Sequence, residues 1–198
     1  SGGDLALAYL GRVELLPTGP FQDKSGADLT GGAPRVALGL AGGHIQHAHK
    51  TEGIGGDTPL DGGTTDMTVA TADLLFKAAG VSVMAAGHMR SGTRNVGEAV
   101  DELGNPIAME PAHDANGYLA QAGYVLPSTP VELALRYAGI RPASDTSPTP
   151  ELNTVTAGLN WYLSKHDVKL QLDHTRSWGE SGYEDAVGLT RALTQLAF

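Results

Sequence analysis

Residues 154–175 (TVTAGLNWYLSKHDVKLQLDHT) alternate so strictly that a β-hairpin is the fold they fit. Val155, Ala157, Leu159, Trp161 and Leu163 alternate with Thr154, Thr156, Gly158, Asn160, Tyr162 and Ser164. After the polar Lys165-His166-Asp167, Val168, Leu170 and Leu172 alternate with Lys169, Gln171 and Asp173. Successive strand side chains point to opposite faces, so each set shares one face, and a short polar link is what a hairpin requires. A soluble β-sandwich alternates in the same way. The composition of the second face favours another environment. Small uncharged and amide residues opposite Trp161 and Leu159 suit a wet interior. Each strand also has about the 9–11 residues that cross a bilayer at a tilt.

Hydrophobic residues are 41% of the 198-residue chain, yet no run approaches the ~18 apolar residues of a membrane helix. Leu, Val and Ala are dispersed among Thr, Gly, Ser and Gln, as in a membrane β-barrel. The 27 glycines argue for turns and close strand approach and against a helical bundle. The absence of Cys excludes a disulfide framework and a thiolate metal site. A net charge of −9 argues against a nucleic-acid partner, which needs a basic surface. Ser1-Gly2-Gly3 opens without a basic and apolar leader, so a signal peptide has been removed or the chain is a fragment.

One region of about nine strands is predicted over residues 1–198. The expected strands are residues 5–16, 35–47, 67–77, 81–90, 118–126, 131–137, the two of the 154–175 hairpin, and 186–198. A short helix is predicted at 96–103, inside the acidic break 91–116. Counted back from the C-terminus, the connections alternate long and short: 176–185, 165–167, 140–152, 127–130, 91–116, 79–80 and 51–65. Outer-membrane barrels keep such an asymmetry, with short periplasmic turns and longer outer loops, and a sandwich has no reason to. The connection 17–34 breaks it, because a long segment falls on the short-turn side. The last strand ends in Phe198, with Leu196 two places before it on the same face; terminal aromatics are common in outer-membrane barrels.

Four segments carry a resemblance: YLGRVELLPTGPF (9–21), GYLAQAGYVLPSTPVELALRYAGI (117–140), TAGLNWYLSKHDVKLQLDHT (156–175) and LTRALTQLAF (189–198). Through them the chain resembles the C-terminal half of the phosphate-selective porin O and P family. Those are trimeric anion-conducting barrels of the Gram-negative outer membrane. The resemblance implies an all-β, antiparallel up-and-down transmembrane barrel, here partial, since family members are about twice as long with roughly sixteen strands. It implies an aqueous channel for small hydrophilic solutes, anions or phosphate among them, set in outer-membrane lipid as a homotrimer, with no cofactor and no enzymatic activity. The family's constriction loop would lie in the other half.

By alternation Arg12, Arg35, Lys77, Arg90, Arg136, Lys169 and Arg191 point to the interior, beside Glu14, Asp73, Glu132 and Asp173. Opposed charges across a pore favour salt bridges over an anion ladder, while an anion track along part of the row stays open. Glu132, four residues before Arg136 on the same face, is placed to neutralise it. His44, His47 and His49 cluster, with His47 and His49 on one strand face, but lack a third ligand in the pattern and read as solvated. Asp57, Asp61 and Asp66 lack calcium-loop spacing and read as a solvated acidic loop. Trp161, Trp178, Tyr118, Tyr124, Tyr137, Tyr162 and Tyr183 divide between an interfacial girdle and ordinary packing.

No nucleophile-elbow, Walker or Rossmann pattern is present, and no Ser/His/Asp set sits at one strand end, which argues against a barrel-embedded enzyme. The competing class is a soluble periplasmic all-β protein that binds sugar or peptide.

Overall fold

The computed structural model describes residues 6–21, 24 and 26–196. The chain forms nine strands: β1 Leu7–Leu15, β2 Arg35–Ala48, β3 Thr64–Ala78, β4 Val81–Asn95, β5 Ala115–Val125, β6 Val131–Pro142, β7 Leu152–Ser164, β8 Val168–Trp178 and β9 Val187–Leu196. They make one antiparallel sheet in the order β1-β2-β3-β4-β5-β6-β7-β8-β9. Among the described residues β1 and β9 do not pair with each other, so the sheet is open. Phe198 and Leu5 lie outside the described residues.

Pairing carries the period-two pattern across the whole sheet. Leu133 stands opposite Leu159, and Leu159 opposite Leu172, which stands opposite Ala192. On the far side Val13 meets Leu40, and Leu40 meets Ala72. One face is therefore predominantly apolar, with His44, Thr68, Asn153 and His174 among its polar members. Its large side chains are open: Leu135 is 57% exposed, Leu40 63% and Leu172 50%. Among the described residues the buried apolar side chains are few and small, chiefly alanines, with Ile45 and Met67 in one cluster. The deeply buried side chains include Lys77, Glu132, Asp28, Asp61 and Asp173. Exposed apolar and buried charged side chains invert the usual partition of a globular domain, and that inversion is the informative observation.

Turn chemistry sets the short end. Ala79 and Gly80 have φ of 50° and 83°, two positive values in succession, as a two-residue hairpin turn matched to strand twist requires. Ser128 and Lys165 take the positive φ in the other two tight turns. Residues 49–63, 96–114, 143–151 and 179–186 connect the strands at the opposite, long-loop end.

The predicted helix at 96–103 does not form. Asp101 instead accepts the backbone N–H groups of Leu103 and Asn105 at 2.9 and 2.8 Å, and Gly104 has a φ of 84°. An acidic side chain bonding the backbone just ahead of it closes a turn and competes with helix. β3 and β4 also run further than predicted, to Thr64 and Asn95, because polar Thr and Ser residues continue the ladder.

The connection 16–34 is long and on the short-turn side, and its residues 26–34 turn back over the polar face. There the buried Lys77 ammonium donates to the Ala27 carbonyl at 2.9 Å, and the Gly80 N–H donates to Asp28 Oδ2 at 2.9 Å. The buried Asp28 also pairs with Arg35 and accepts from Thr30 Oγ1 and the Gly31 N–H. Burial pushes the Asp28 carboxyl up. The Gly80 N–H, the Thr30 hydroxyl, Arg35 and the Gly31 N–H together outweigh it and hold the pKa below the ordinary value.

Candidate functional site: the polar face

The pairing register puts Arg12, Arg35, Lys77, Arg90, Glu132, Arg136, Lys169, Asp173 and Arg191 on the one polar face, with Glu14 and Asp73. Apart from Glu14, which pairs with Lys24, they fall into four places. Glu132, Arg136, Lys169, Asp173 and Arg191 line one recess of about 270 Å³, with Gln121, Asn160, Tyr162 and Gln171, and Gly26 of the returning segment at its edge. Its lining residues come from β4 through β9. Strands about 4.8 Å apart spread over roughly 24 Å across such a set, so residues on one small recess require this face to be concave.

Arg12 lies near the sheet edge, in a bidentate pair with Asp73 at 2.7 and 2.9 Å. The pair lies across Gly39, where a Cβ would overlap the Arg12 guanidinium and stand 2.6 Å from Asp73 Oδ1. Arg35 and Lys77 are committed to the returning segment. Arg90 turns toward the long loops, its Nε donating to the His113 carbonyl at 2.7 Å and Nη1 lying 3.3 Å from Glu52.

Within the recess the charges divide unequally. Arg191 pairs with the buried Asp173 at 2.9 Å. Glu132 is 2% exposed and accepts from Asn160 Nδ2 at 2.8 Å and the Tyr162 hydroxyl at 2.7 Å. Arg136 instead donates from Nε to Gln121 Oε1 at 2.8 Å. The expected neutralisation of Arg136 by Glu132 is thus not what the structure contains. The reason is steric: the Glu132 carboxylate folds into the space above Gly123, where a Cβ would overlap its Oε1 and stand 2.7 Å from Ser82 Oγ. Among the described residues, Arg136 and Lys169 have no carboxylate partner. Arg136 and Lys169 are the recess cations outside any ion pair, and because Glu132 is held only by neutral donors its charge offsets one of them, leaving a small positive excess.

The roles not foreseen from sequence are those of Asp28, Gln121, Asn160 and Tyr162, although alternation had put Asn160 and Tyr162 on the polar face. Asp28 had a local signal, since Asp followed by Thr30 and Gly31 is turn chemistry. For the other three, only register brings them together.

The remaining clusters dissolve. His44 meets Thr68 Oγ1 at 3.0 Å, His47 sits at a bulge with a φ of 51°, and His49 lies beyond the end of β2. The bulge is why His47 and His49 do not share a strand face as predicted. Asp57, Asp61 and Asp66 take separate roles. Asp61 is buried against Arg94 at 2.6 Å and accepts from Gly97 N at 3.1 Å, and Asp66 accepts from His47 N at 2.8 Å. Asp61 is thus a clamp between loops 49–63 and 96–114, not a solvated loop acid. Burial raises its carboxyl, and the Gly97 and Gly63 N–H groups with Arg94 lower it further, leaving it below the ordinary carboxylate value.

On the apolar face the aromatics form two groups. Phe76, Tyr124 and Trp161 lie toward the short turns, and Tyr118, Tyr137, Trp178 and Tyr183 toward the long loops. Tyr162, by contrast, is on the polar face, bonded to Glu132. Compared with models of known protein families, with curated proteins and with solved structures, the chain matches none.

Proposed function

We propose that these nine strands are wall of an outer-membrane porin, an aqueous channel for small hydrophilic solutes in which unpaired cations favour anions. The observation that carries this reading is the two-faced sheet. Its open apolar face, bounded by aromatics at both ends, matches what a bilayer selects, and its concave opposite face is lined with charged and amide groups. A soluble sandwich would cover the apolar face with a second sheet. Here the leucines of β6 to β8 meet solvent instead.

Arg136 and Lys169 are the residues that give the channel its anion preference. A fixed positive charge in a narrow aqueous passage concentrates anions and excludes cations, most strongly at low salt where screening is weakest. Glu132 acts differently. Its two hydrogen bonds shape the wall beneath Arg136. The test is the reversal potential of the assembled channel across a salt gradient, for the parent, Arg136→Gln and Lys169→Gln. Loss of either charge moves the potential toward cations, and loss of both moves it further. No movement in the double variant rejects the electrostatic role.

A further inference from the structure

The long-loop edge of the apolar face carries a continuous row of cations and rings. Arg141 lies 5.9 Å over the Tyr118 ring. Tyr118 and Tyr137 centroids are 5.6 Å apart, Tyr137 and Trp178 6.2 Å, and Trp178 and Tyr183 5.0 Å. Arg176 closes the row, 5.2 Å over the Tyr183 ring. Asn153 knits the middle, accepting from the Tyr118 and Tyr137 hydroxyls at 2.5 and 3.1 Å. Among the described strand residues, Arg141 and Arg176 are the only arginines or lysines that the register places on the apolar face.

Arg176 is the unusual member. It stands opposite Val155 and Gly188, with His174 and Trp178 as its neighbours on the same face of β8. Among the described residues no carboxylate pairs with it and no acceptor takes its hydrogen bonds, and its Nε is shielded without a partner. A guanidinium has five donors, and a half-buried one held over a ring without an acceptor awaits an anion from outside the chain. Arg141 has a looser partner, Glu151 at 3.6 Å.

We propose that this row is a docking site for a phosphate-bearing anionic membrane lipid, whose headgroup is held by Arg176 and Arg141 and whose acyl chains lie along Val155, Ala157 and Leu172. Charge complementarity commits the occupant. Beyond His174, which bonds the Thr190 hydroxyl, the adjoining face is apolar at Val155, Ala157 and Leu172, and an anion carrying hydrocarbon satisfies both surfaces at once. Rings at the headgroup level provide the flat amphipathic platform between them. The inference rests on the membrane reading above.

The experiment reads Trp178 alone, in a Trp161→Phe background, reconstituted in vesicles containing brominated phosphatidylglycerol or brominated phosphatidylcholine. The brominated lipid quenches the tryptophan it touches. The expected result is about a fivefold preference for phosphatidylglycerol. It falls toward unity in Arg176→Gln, is largely kept in Arg176→Lys, and is unchanged in Lys50→Gln, a loop lysine bonded to Thr58. Equal quenching by the two lipids overturns the inference, as does a preference that survives in Arg176→Gln. Displacement of the quenching lipid by millimolar inorganic phosphate also overturns it, by showing a free-anion site. No quenching by either lipid would remove the membrane reading itself, so the two failures are distinguishable.

Discussion

Leu172 and Gln171 are neighbours on one strand and face opposite environments, so exchanging each for arginine separates the two descriptions of the sheet. Leu172 is 50% exposed and lies between Leu159 and Ala192 in register. If that face met water, Leu172→Arg would replace one half-exposed side chain by another and shift stability by no more than about 0.5 kcal/mol. If it meets hydrocarbon near the middle of the bilayer, the charge costs about 2–4 kcal/mol. The gap is at least ~1.5 kcal/mol, more than tenfold in the folding equilibrium. Gln171 is the control. Its Nε2 donates to Asp173 Oδ2 at 3.3 Å on the polar face, and an arginine there keeps an acidic partner. Gln171→Arg is expected to change stability by less than about 0.5 kcal/mol. The assay is equilibrium urea unfolding in phosphatidylcholine vesicles, followed by tryptophan fluorescence. Equal shifts for the two variants, or a Leu172→Arg shift within 0.5 kcal/mol of the parent, would refute the assignment of faces.

Three further outcomes follow from the buried polar groups. Gly123→Ala forces a Cβ into the Glu132 carboxylate and is expected to cost about 1–3 kcal/mol in the same unfolding assay; adding Glu132→Ala recovers part of the loss, and no recovery would show that the contact is not the cause. Asp61, 0% exposed against Arg94 at 3%, clamps two long loops, and Asp61→Ala is expected to cost about 3–5 kcal/mol locally, read as faster amide exchange at Gly97. Because the folded pKa of Asp61 lies below its unfolded value, the clamp is whole above the ordinary carboxylate value of 3.8 and is lost as pH falls through the lower folded value. Exchange at Gly97, corrected for its intrinsic rate, should accelerate only in that acid window, and a rise near neutrality would contradict the assignment.

Strand existence, order and facing were legible because all three rest on local information. Alternation has a period of two residues, tight turns declare themselves through residues such as Gly80, and consecutive strands joined by tight turns must pair. That logic placed Leu159, Trp161, Leu170 and Leu172 on one face and Arg136 on the other, as the register has them, while Leu163 falls at a bulge where the register shifts. The predicted helix at 96–103 failed because helical spacing says nothing about a competing side chain, and Asp101 captures its own backbone first.

What tertiary structure alone decided is which polar groups meet. The sequence determined that Glu132 and Arg136 share a face, but their partners lie on other strands, at Asn160, Tyr162 and Gln121, chosen by register and by the space left above Gly123. It marked connection 17–34 as too long for its side of the sheet, yet gave no reason for residues 26–34 to fold inward. That reason is Asp28, whose hydrogen bond to Gly80 spans 52 residues of chain. A buried carboxylate must find donors wherever the fold supplies them. Those donors exist as a set only after β2 and the turn between β3 and β4 have come together, so no reading of spacing along the chain contains them.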